Sequence, residues 1–447
     1  MSIICNRIRR HLSNSESNHR RIAVGFLWIA FFVLIGRLAG AAKEMAIAWR
    51  FGVSESVDAY VFVVNLIGLP VSIFFSVLSV LLLPLIARVR NENPGDMPRF
   101  RRELLGLTLA AGLGLGGLVY VILPVLLNTG MAGFSGAALV QALAMSGPLS
   151  LLLPMGVVIS LFSVSLMANG HYRNTLLEAL PALAILAALL MPPGGLLDSL
   201  IWGSVAGFAL QLAGLGWSLQ RSGDLPLPTL AFQSPAWKGF LRSFSIIAAG
   251  QTLMSVTGVI DQFFAAHLGV GAISTLSYAN RIVGLILSLG AMAISRSTMP
   301  IFSELAGQGK ESEVRALTSY WAKLMFVFGL VVMGLAWCFA PWIVELLFQR
   351  GAFKSEDTLI VAELMRYLVL QLPFYFSGII FISLLSAQKK YAAIQWVAIS
   401  NFSVKVLAIV LLTPVLGIRA IALSTSLMYF ASMAMLLVYS FKRSRNA

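Results

Sequence analysis

The 447-residue chain has few charged residues and almost no cysteine, and each shortage excludes a class of protein. Charged residues make up only 11% of the sequence and hydrophobic residues 58%, which is not the composition of a soluble domain. The two cysteines, Cys5 and Cys338, are too few and too far apart for a disulfide framework or a thiolate metal site. The four histidines never occur at metal-ligand spacing. These shortages predict a polytopic membrane protein without a metal site or another cofactor.

Motifs for catalysis are also missing from the sequence. No glycine-rich phosphate loop is followed by a lysine, which excludes an ATP-driven motor within this chain. The loops on one side of the membrane are short, and no paired carboxylates stand in a large segment outside the bilayer. Membrane polymerases, ligases and glycosyltransferases need such a segment for their chemistry. The chain is therefore predicted not to be an enzyme.

About twelve apolar segments are long enough to cross a bilayer, so an all-α polytopic membrane protein is predicted. The basic segment before the first of them looks like the start of a signal peptide. The apolar run continues past "AGA" at 39–41, however, so the first span is predicted to be retained. The approximate limits of the spans are 22–48, 57–87, 104–127, 137–168, 174–192, 197–219, 240–267, 271–301, 317–340, 358–387, 391–413 and 417–441.

The distribution of lysine and arginine predicts the orientation of these spans. When the loops are assigned alternately to the two sides, 21 of the 32 basic residues fall on one side and four on the other. Cytoplasmic loops carry such an excess, so both termini are predicted to be cytoplasmic. The net charge is +14, and most of the lysines and arginines lie in short loops, which argues for the lipid bilayer as partner and against nucleic acid.

The chain resembles itself at an offset of about 217 residues. Gly52 aligns with Gly269, Pro154 with Pro373, and "LMANGHY" at 166–172 with "LSAQKKY". Two units of six spans have the same orientation, which is a transporter pattern with a site between two lobes near the middle of the membrane. The predicted divisions are a cytoplasmic basic tail at 1–21, an N-lobe at 22–220, a cytoplasmic linker at 221–237, a C-lobe at 238–441 and a cytoplasmic tail at 442–447.

Glycines and prolines within the spans are predicted to have structural roles. Gly112 and Gly116 have the GxxxG spacing that allows two helices to pack closely. Prolines inside spans, among them Pro148, Pro154 and Pro373, are expected to kink or loosen their helices.

Seven basic residues fall inside predicted spans, where each would cost at least ~2.5–3.5 kcal/mol if it faced lipid. They therefore face water, pair with acids or extend to the membrane surface. Lys323 and Lys405 are expected to extend to the surface or to pair, and Arg366 to pair with Glu363 three residues before it. The complete set is Arg37, Lys43, Arg281, Arg296, Lys323, Arg366 and Lys405.

The remaining basic residues suggest a polar network along a central cleft. One interpretation is a set of ion pairs between lobes that have no ligand. The other is a cationic cavity for an anionic head group, because an arginine offers two parallel N–H donors to a phosphate. The network would contain Arg37, Lys43, Glu44, Asp261, Arg281 and Arg296.

Three motifs resemble the MurJ/MviN family of lipid II flippases, within the superfamily that also contains MATE exporters and Wzx-type polysaccharide flippases. "GRLAGAAKEMAIAWRFGVSESVDAY" at 36–60 is similar to the first-span motif, with Lys43 and Glu44 in place of the usual Arg and Asp, followed by Asp58. "YANRI" at 278–282 is similar to "YADRL", with Asn280 in the acidic position before Arg281. "LFQRGAFKSEDT" at 347–358 is close to a signature of an outward loop.

The resemblance implies a V-shaped, MATE-like fold of two six-helix lobes and transport by alternating access in a bacterial inner membrane. It also implies that basic residues of the first, second and eighth spans receive a diphosphate and sugar. The candidate substrate-binding residues are Arg37, Lys43, Glu44, Asp58, Asp261, Asn280, Arg281 and Arg296. The chain departs from the family at 68–84, which is uncharged where the family carries two arginines and a glutamate, and it ends after the twelfth predicted span.

These observations predict a flippase that carries a polyprenyl-diphosphate-linked glycan from the cytoplasmic to the outer leaflet, acting as a monomer. The departures favour an exopolysaccharide or O-antigen unit over a lipid II-like peptidoglycan precursor. The alternatives are a MATE-type exporter of drugs or small solutes and a membrane scaffold without transport. Energy coupling stays open at this point, because Asp58 and Asp261 could bind H⁺ or Na⁺ or balance nearby arginines.

Overall fold

The computed structural model describes residues 34–92, 97–168, 172–191, 195–223, 225, 227–308, 310–388 and 390–441. Both predicted tails, 1–21 and 442–447, and the first part of the first predicted span lie outside these residues.

The described residues form fourteen α-helices and one 3₁₀ segment, Tyr172–Ala179. Helix α1 covers 34–51 of the described residues. The others are α2 Glu55–Glu92, α3 Met97–Asn128, α4 Gly136–Ser150, α5 Leu152–Ala168, α6 Leu180–Leu190, α7 Leu196–Arg221, α8 Ala236–Ala266, α9 Ala272–Gly307, α10 Glu311–Phe348, α11 Ser355–Val369, α12 Leu372–Ala387, α13 Tyr391–Leu416 and α14 Ile418–Phe441.

Within the described residues, each predicted span coincides with helical structure, so the prediction of an all-α polytopic membrane protein is confirmed. Nine helical segments of the described chain are long and apolar enough to cross a membrane, and α11 and α12 together count as one of them. Helices α4 and α5 form a tenth span with a bend of 41°. Helix α1 and the shorter apolar segment Leu176–Leu190 account for the first and fifth predicted spans.

The internal repeat predicted from sequence is visible in the backbone. Gly52 and Gly269 both have positive φ, 59° and 114°. The fourth predicted span of each half consists of two helices, with the breaks at Leu151 and at Leu370–Gln371. A proline follows each break, as residue 154 in α5 and residue 373 in α12.

Glycines face these two prolines across a close helix crossing. A Cβ atom at Gly116 would lie 2.9 Å from Cδ of Pro154, and one at Gly329 would lie 2.6 Å from Cα of Pro373. No side chain fits at such distances, so glycine is what allows α3 to approach α5 and α10 to approach α12. The close packing predicted for the GxxxG pair is confirmed at Gly112 and Gly116.

The chain divides into two compact units. Unit 1 comprises the described parts of Met1–Ala46, together with Pro70–Tyr120 and Gly147–Phe244. Unit 2 comprises Ile47–Leu69, Val121–Ser146 and the described parts of Ser245–Ala447. The division into lobes at 22–220 and 238–441 stays a prediction.

A buried glutamate fixes the connection between α7 and α8 within unit 1. Glu103, on α3, is 1% exposed and accepts hydrogen bonds from the backbone N–H groups of Gln233 and Ser234 at 3.0 and 3.1 Å. The indole N–H of Trp237 donates to the same carboxylate at 2.6 Å, and Nε of Arg99 lies 3.5 Å from it. Trp237 also packs against Phe100 with ring centroids 5.2 Å apart.

Replacing Glu103 with alanine is expected to destabilise unit 1 by about 2–3 kcal/mol, because buried donors at Ser234 and Trp237 would lose their acceptor. The free energy of unfolding, measured by titration with SDS in mixed micelles, checks this expectation. Glu313→Ala is the matched control, since Glu313 is exposed and makes only a surface ion pair with Lys310. Equal stability of the two variants would contradict the role given to Glu103.

Candidate functional site

The acidic and basic residues predicted in the first span form a local ion pair. Nζ of Lys43 lies 2.8 Å from Oε1 of Glu44, and Glu44 is buried. Arg37 is half-buried two turns earlier on the same helix, α1. An adjacent lysine neutralises Glu44, which removes most of the cost of burying its charge inside the membrane.

The second predicted acid, Asp261 on α8, pairs with Lys405 on α13. Nζ of Lys405 lies 2.7 Å from Oδ1 of Asp261. The ammonium also donates to the backbone carbonyl of Ile421 at 3.0 Å and to the hydroxyl of Thr425, both on α14. Lys405 is only 1% exposed, so it does not extend to the membrane surface. Of the two roles expected for Lys405, the structure shows pairing, and its ammonium makes one ion pair and two hydrogen bonds to oxygen atoms.

Asp58 caps the N-terminus of α9. The backbone N–H groups of Gly271 and Ser274 donate to Oδ2 and Oδ1 of Asp58, each at 2.6 Å. The first N–H groups of a helix have no partner within the helix, and the helix dipole places partial positive charge there. Asp58 lies in the first turn of α2, so its carboxylate joins the start of one helix to the start of another.

Further contacts within unit 2 surround this cap. The hydroxyl of Tyr278 donates to the carbonyl of Gly52 at 3.0 Å, and the N–H of Ala352 donates to the carbonyl of Trp49 at 2.8 Å. A Cβ atom at Gly52 would lie 2.5 Å from the oxygen of Ala352. We call this set of contacts between residues 49–58, 271–278 and 350–353 the outer seal. Its loops belong to the side of the membrane that the charge distribution predicts to be outside.

Arg281 and Asn280 lie on α9, just after the outer seal, and both are exposed. Residue 296 lies further along α9, and its side chain is outside the described part of the structure. Arg37 belongs to unit 1 and Arg281 to unit 2, so a shared cationic cavity of these residues stays a prediction.

The ion pair predicted between Glu363 and Arg366 is replaced by a different one. Oε1 of Glu363 lies 2.6 Å from Nη2 of Arg419, at the start of α14. Nε of Arg366 instead donates to the carbonyl of Trp337 at 3.2 Å. The i,i+3 spacing allows a pair but does not require it, and here packing of α11 against α14 brings a second cation closer.

Among the described residues, no group of three or more His, Cys, Asp or Glu side chains is placed to hold a metal ion. Four carboxylates of the described chain are each held by a lysine, an arginine or N–H donors. They are Glu44, Asp58, Glu103 and Asp261.

Comparison with known proteins identifies the family. The sequence model described as "Lipid II flippase MurJ" matches residues 47–446. The chain belongs to the MurJ family. A probable lipid II flippase MurJ of Bdellovibrio bacteriovorus is 25% identical over 376 residues, which is 79% of this chain and 69% of that protein. A counterpart of Helicobacter pylori is 32% identical over 192 residues, and the match spans 42% of this chain and only 41% of that protein.

Solved structures of MurJ and MATE proteins share the fold. A lipid II flippase MurJ in an inward closed conformation superimposes with a TM-score of 0.81 at 19% identity, covering 92% of this chain and 87% of that one. An inward-facing multidrug resistance MATE transporter of the MOP superfamily gives a TM-score of 0.73 at 15% identity, covering 93% and 97%. At these identities the likeness shows the fold alone. The predicted MurJ resemblance and the MATE-like fold are both confirmed.

Proposed function

We propose that this protein moves a polyprenyl-diphosphate-linked precursor, of which lipid II is the first candidate, from the cytoplasmic to the outer leaflet of a bacterial inner membrane. The observation that carries this proposal is the family match over residues 47–446. In this proposal the protein works as a monomer with both termini in the cytoplasm and catalyses no covalent step.

Arginine and lysine inside the membrane supply the chemistry that such a cargo needs. A diphosphate carries negative charge through a medium of low dielectric constant, where cations attract it more strongly than in water. In this proposal the half-buried Arg37 and the exposed Arg281 bind the diphosphate, and Asn280 contacts the sugar. The positive charge of Lys43 balances the negative charge of Glu44 while no diphosphate is bound. Arg296 extends the cationic surface along α9. The polyprenyl chain stays in lipid.

In the proposed mechanism, Asp58 and Asp261 do not contact the cargo. Asp58 closes the outer seal by holding the N-terminus of α9, and its release accompanies opening toward the outside. Asp261 holds the ammonium of Lys405, so the cation beside this carboxylate is a side chain of the protein. In this proposal no Na⁺ binds at Asp261, and the membrane potential, which acts on charge in the cavity, drives the return step.

A second candidate cargo is another polyprenyl-diphosphate-linked glycan, such as an exopolysaccharide or O-antigen unit. One observation favours it. Helix α2 carries no charged residue between Asp58 and Arg88, so it offers no cation or carboxylate to a peptidoglycan precursor within the membrane.

Mass spectrometry of lipid-linked intermediates in cells depleted of this protein tests the proposal. Accumulation of lipid II supports the first candidate, and accumulation of a different polyprenyl-diphosphate glycan supports the second. An unchanged pool of both would overturn flipping. Drug or small-solute export, the function of the MATE protein with the same fold, would then be tested next.

Replacing Arg281 with alanine is expected to lower the flipping rate in proteoliposomes by about tenfold, the effect of losing one charge-assisted contact to a phosphate. Arg281→Lys should retain part of the rate, because it keeps the charge but loses the two parallel donors. Lys310→Ala is the matched control, since Lys310 is exposed at the start of α10 and pairs with Glu313 at the surface. A flipping rate equal to that of the control would show that Arg281 does not bind the diphosphate.

A further inference from the structure

The connection between α7 and α8 exposes apolar side chains outside any membrane-spanning helix. Leu227 is 77% exposed and Leu230 is 62% exposed, and the side chains of Leu225 and Phe232 are also exposed. We call residues 225 and 227–232 of this connection, which the structure describes, the linker strip. It follows Arg221, the last residue of α7, and precedes α8, which begins at Ala236. Four large apolar side chains within eight residues form an exposed hydrophobic patch, and the contact of such a patch with water is unfavourable.

The backbone around the linker strip is held in place, so these side chains do not turn inward. The N–H of Thr229 donates to the carbonyl of Arg102 at 3.1 Å. Glu103 holds the next turn of chain through the N–H groups of Gln233 and Ser234. Gly106 lies directly under the strip, where a Cβ atom would approach the oxygen of Thr229 to 2.2 Å. The strip is therefore pressed against α3 along one side and exposes its leucines on the other.

Neighbouring residues place the strip at the height of the lipid head groups. The guanidinium of Arg221 lies over the ring of Trp217, 4.0 Å from its centroid, and Trp217 is exposed. Tryptophan and arginine together are typical of the boundary between hydrocarbon and head groups. Arg102, on α3, and Arg242, on α8, are exposed on the same unit. Their positive charge is complementary to the anionic lipids of the cytoplasmic leaflet.

We propose that the linker strip is an interfacial anchor that binds anionic phospholipid. Leu227 and Leu230 enter the boundary between head groups and acyl chains, while Arg102, Arg221 and Arg242 contact the phosphates. Lipid is the occupant that the observations favour, because the exposed apolar side chains of the strip belong to the same unit as the exposed Arg102, Arg221 and Arg242. This anchor does not depend on the proposed cargo.

Fluorescence quenching in nanodiscs tests the proposal. Single cysteines replace Leu227 or Leu230 in a chain with Cys5→Ser and Cys338→Ser, and each receives a fluorophore that senses polarity. Ser222→Cys is the matched control, because Ser222 is exposed at the end of α7 but lies outside the strip. Brominated phosphatidylcholine should quench the labels at 227 and 230 at least about twofold more than the label at 222, as expected for burial near the head groups. Aqueous iodide should show the opposite order.

Strong iodide quenching at all three positions would overturn the anchor and would indicate that the strip faces water or a protein partner absent from the nanodisc. The role of the arginines is tested by comparing nanodiscs with and without phosphatidylglycerol. The label at 227 should move deeper when the anionic lipid is present, and Arg102→Ala together with Arg242→Ala should abolish this difference. Equal quenching in both lipid mixtures would overturn the anionic specificity.

Discussion

Replacing Lys405 with methionine is expected to lower the free energy of unfolding by about 3–5 kcal/mol, the cost of leaving a buried charge without its partner. The carboxylate of Asp261 would lose the ammonium that lies 2.7 Å away, and the carbonyl of Ile421 would lose a donor. Methionine has a similar length, so the loss reflects charge more than packing. Titration with SDS in mixed micelles measures the effect.

The double variant Asp261→Asn with Lys405→Met separates charge from shape. Removing both charges should restore more than half of the lost stability, since a well-packed neutral pair replaces a buried ion pair at little cost. Lys310→Met is the matched control on an exposed lysine and should change stability by less than about 0.5 kcal/mol. If Lys405→Met is as stable as this control, or if the double variant is no more stable than the single one, the pair does not have the role assigned to it.

Replacing Asp58 with alanine is expected to weaken the outer seal by about 3 kcal/mol, because two short hydrogen bonds from backbone N–H groups to a carboxylate are lost. Such a change would raise the population of the open form about 100-fold. Asp58→Asn keeps one acceptor oxygen but loses the charge, so we expect it to weaken the outer seal less than Asp58→Ala does.

Thiol labelling at residue 274 measures this population. Ser274 is fully buried, and its N–H donates to Asp58. Ser274→Cys, in a chain without Cys5 and Cys338, should react with an impermeant maleimide about 100-fold faster when Asp58 is alanine, at a maleimide concentration low enough for opening and closing to be fast relative to labelling. Asp198→Ala, which removes an exposed acid in the first turn of α7, should leave the rate unchanged. Equal labelling in the Asp58 and Asp198 variants would show that the cap does not hold the seal.

The spans could be predicted from sequence because each is a long apolar run, and the repeat because glycines and prolines recur at one spacing. Kinks at the prolines of the fourth and tenth spans could be predicted, but the positions of the breaks could not. The break before Leu152 lies after Pro148, and the one before Leu372 comes just ahead of Pro373, so proline alone does not mark the position. Proline constrains a helix without deciding which neighbouring peptide bends.

The partners of the buried charges could not be predicted for a different reason. The motif predicts a substrate-binding role for Asp58 but gives no sign that its hydrogen-bond partner is Gly271, 213 residues away in the chain. A sequence shows that a charge inside the membrane needs a partner but not which distant residue supplies it. The role of Glu103 is even harder to predict from the sequence, because this residue looks like an ordinary acid near the start of α3. Its role as an acceptor depends on the path of the connection between α7 and α8, which brings the N–H of Gln233 to it.

The glycine–proline crossings have a consequence for how this chain can evolve. At Gly116 and Gly329 the close approach to a proline requires that the side chain be absent, whereas a position that faces lipid needs only an apolar side chain. Sequence can then drift widely while the backbone stays the same, which agrees with a TM-score of 0.81 at only 19% identity to the solved MurJ structure.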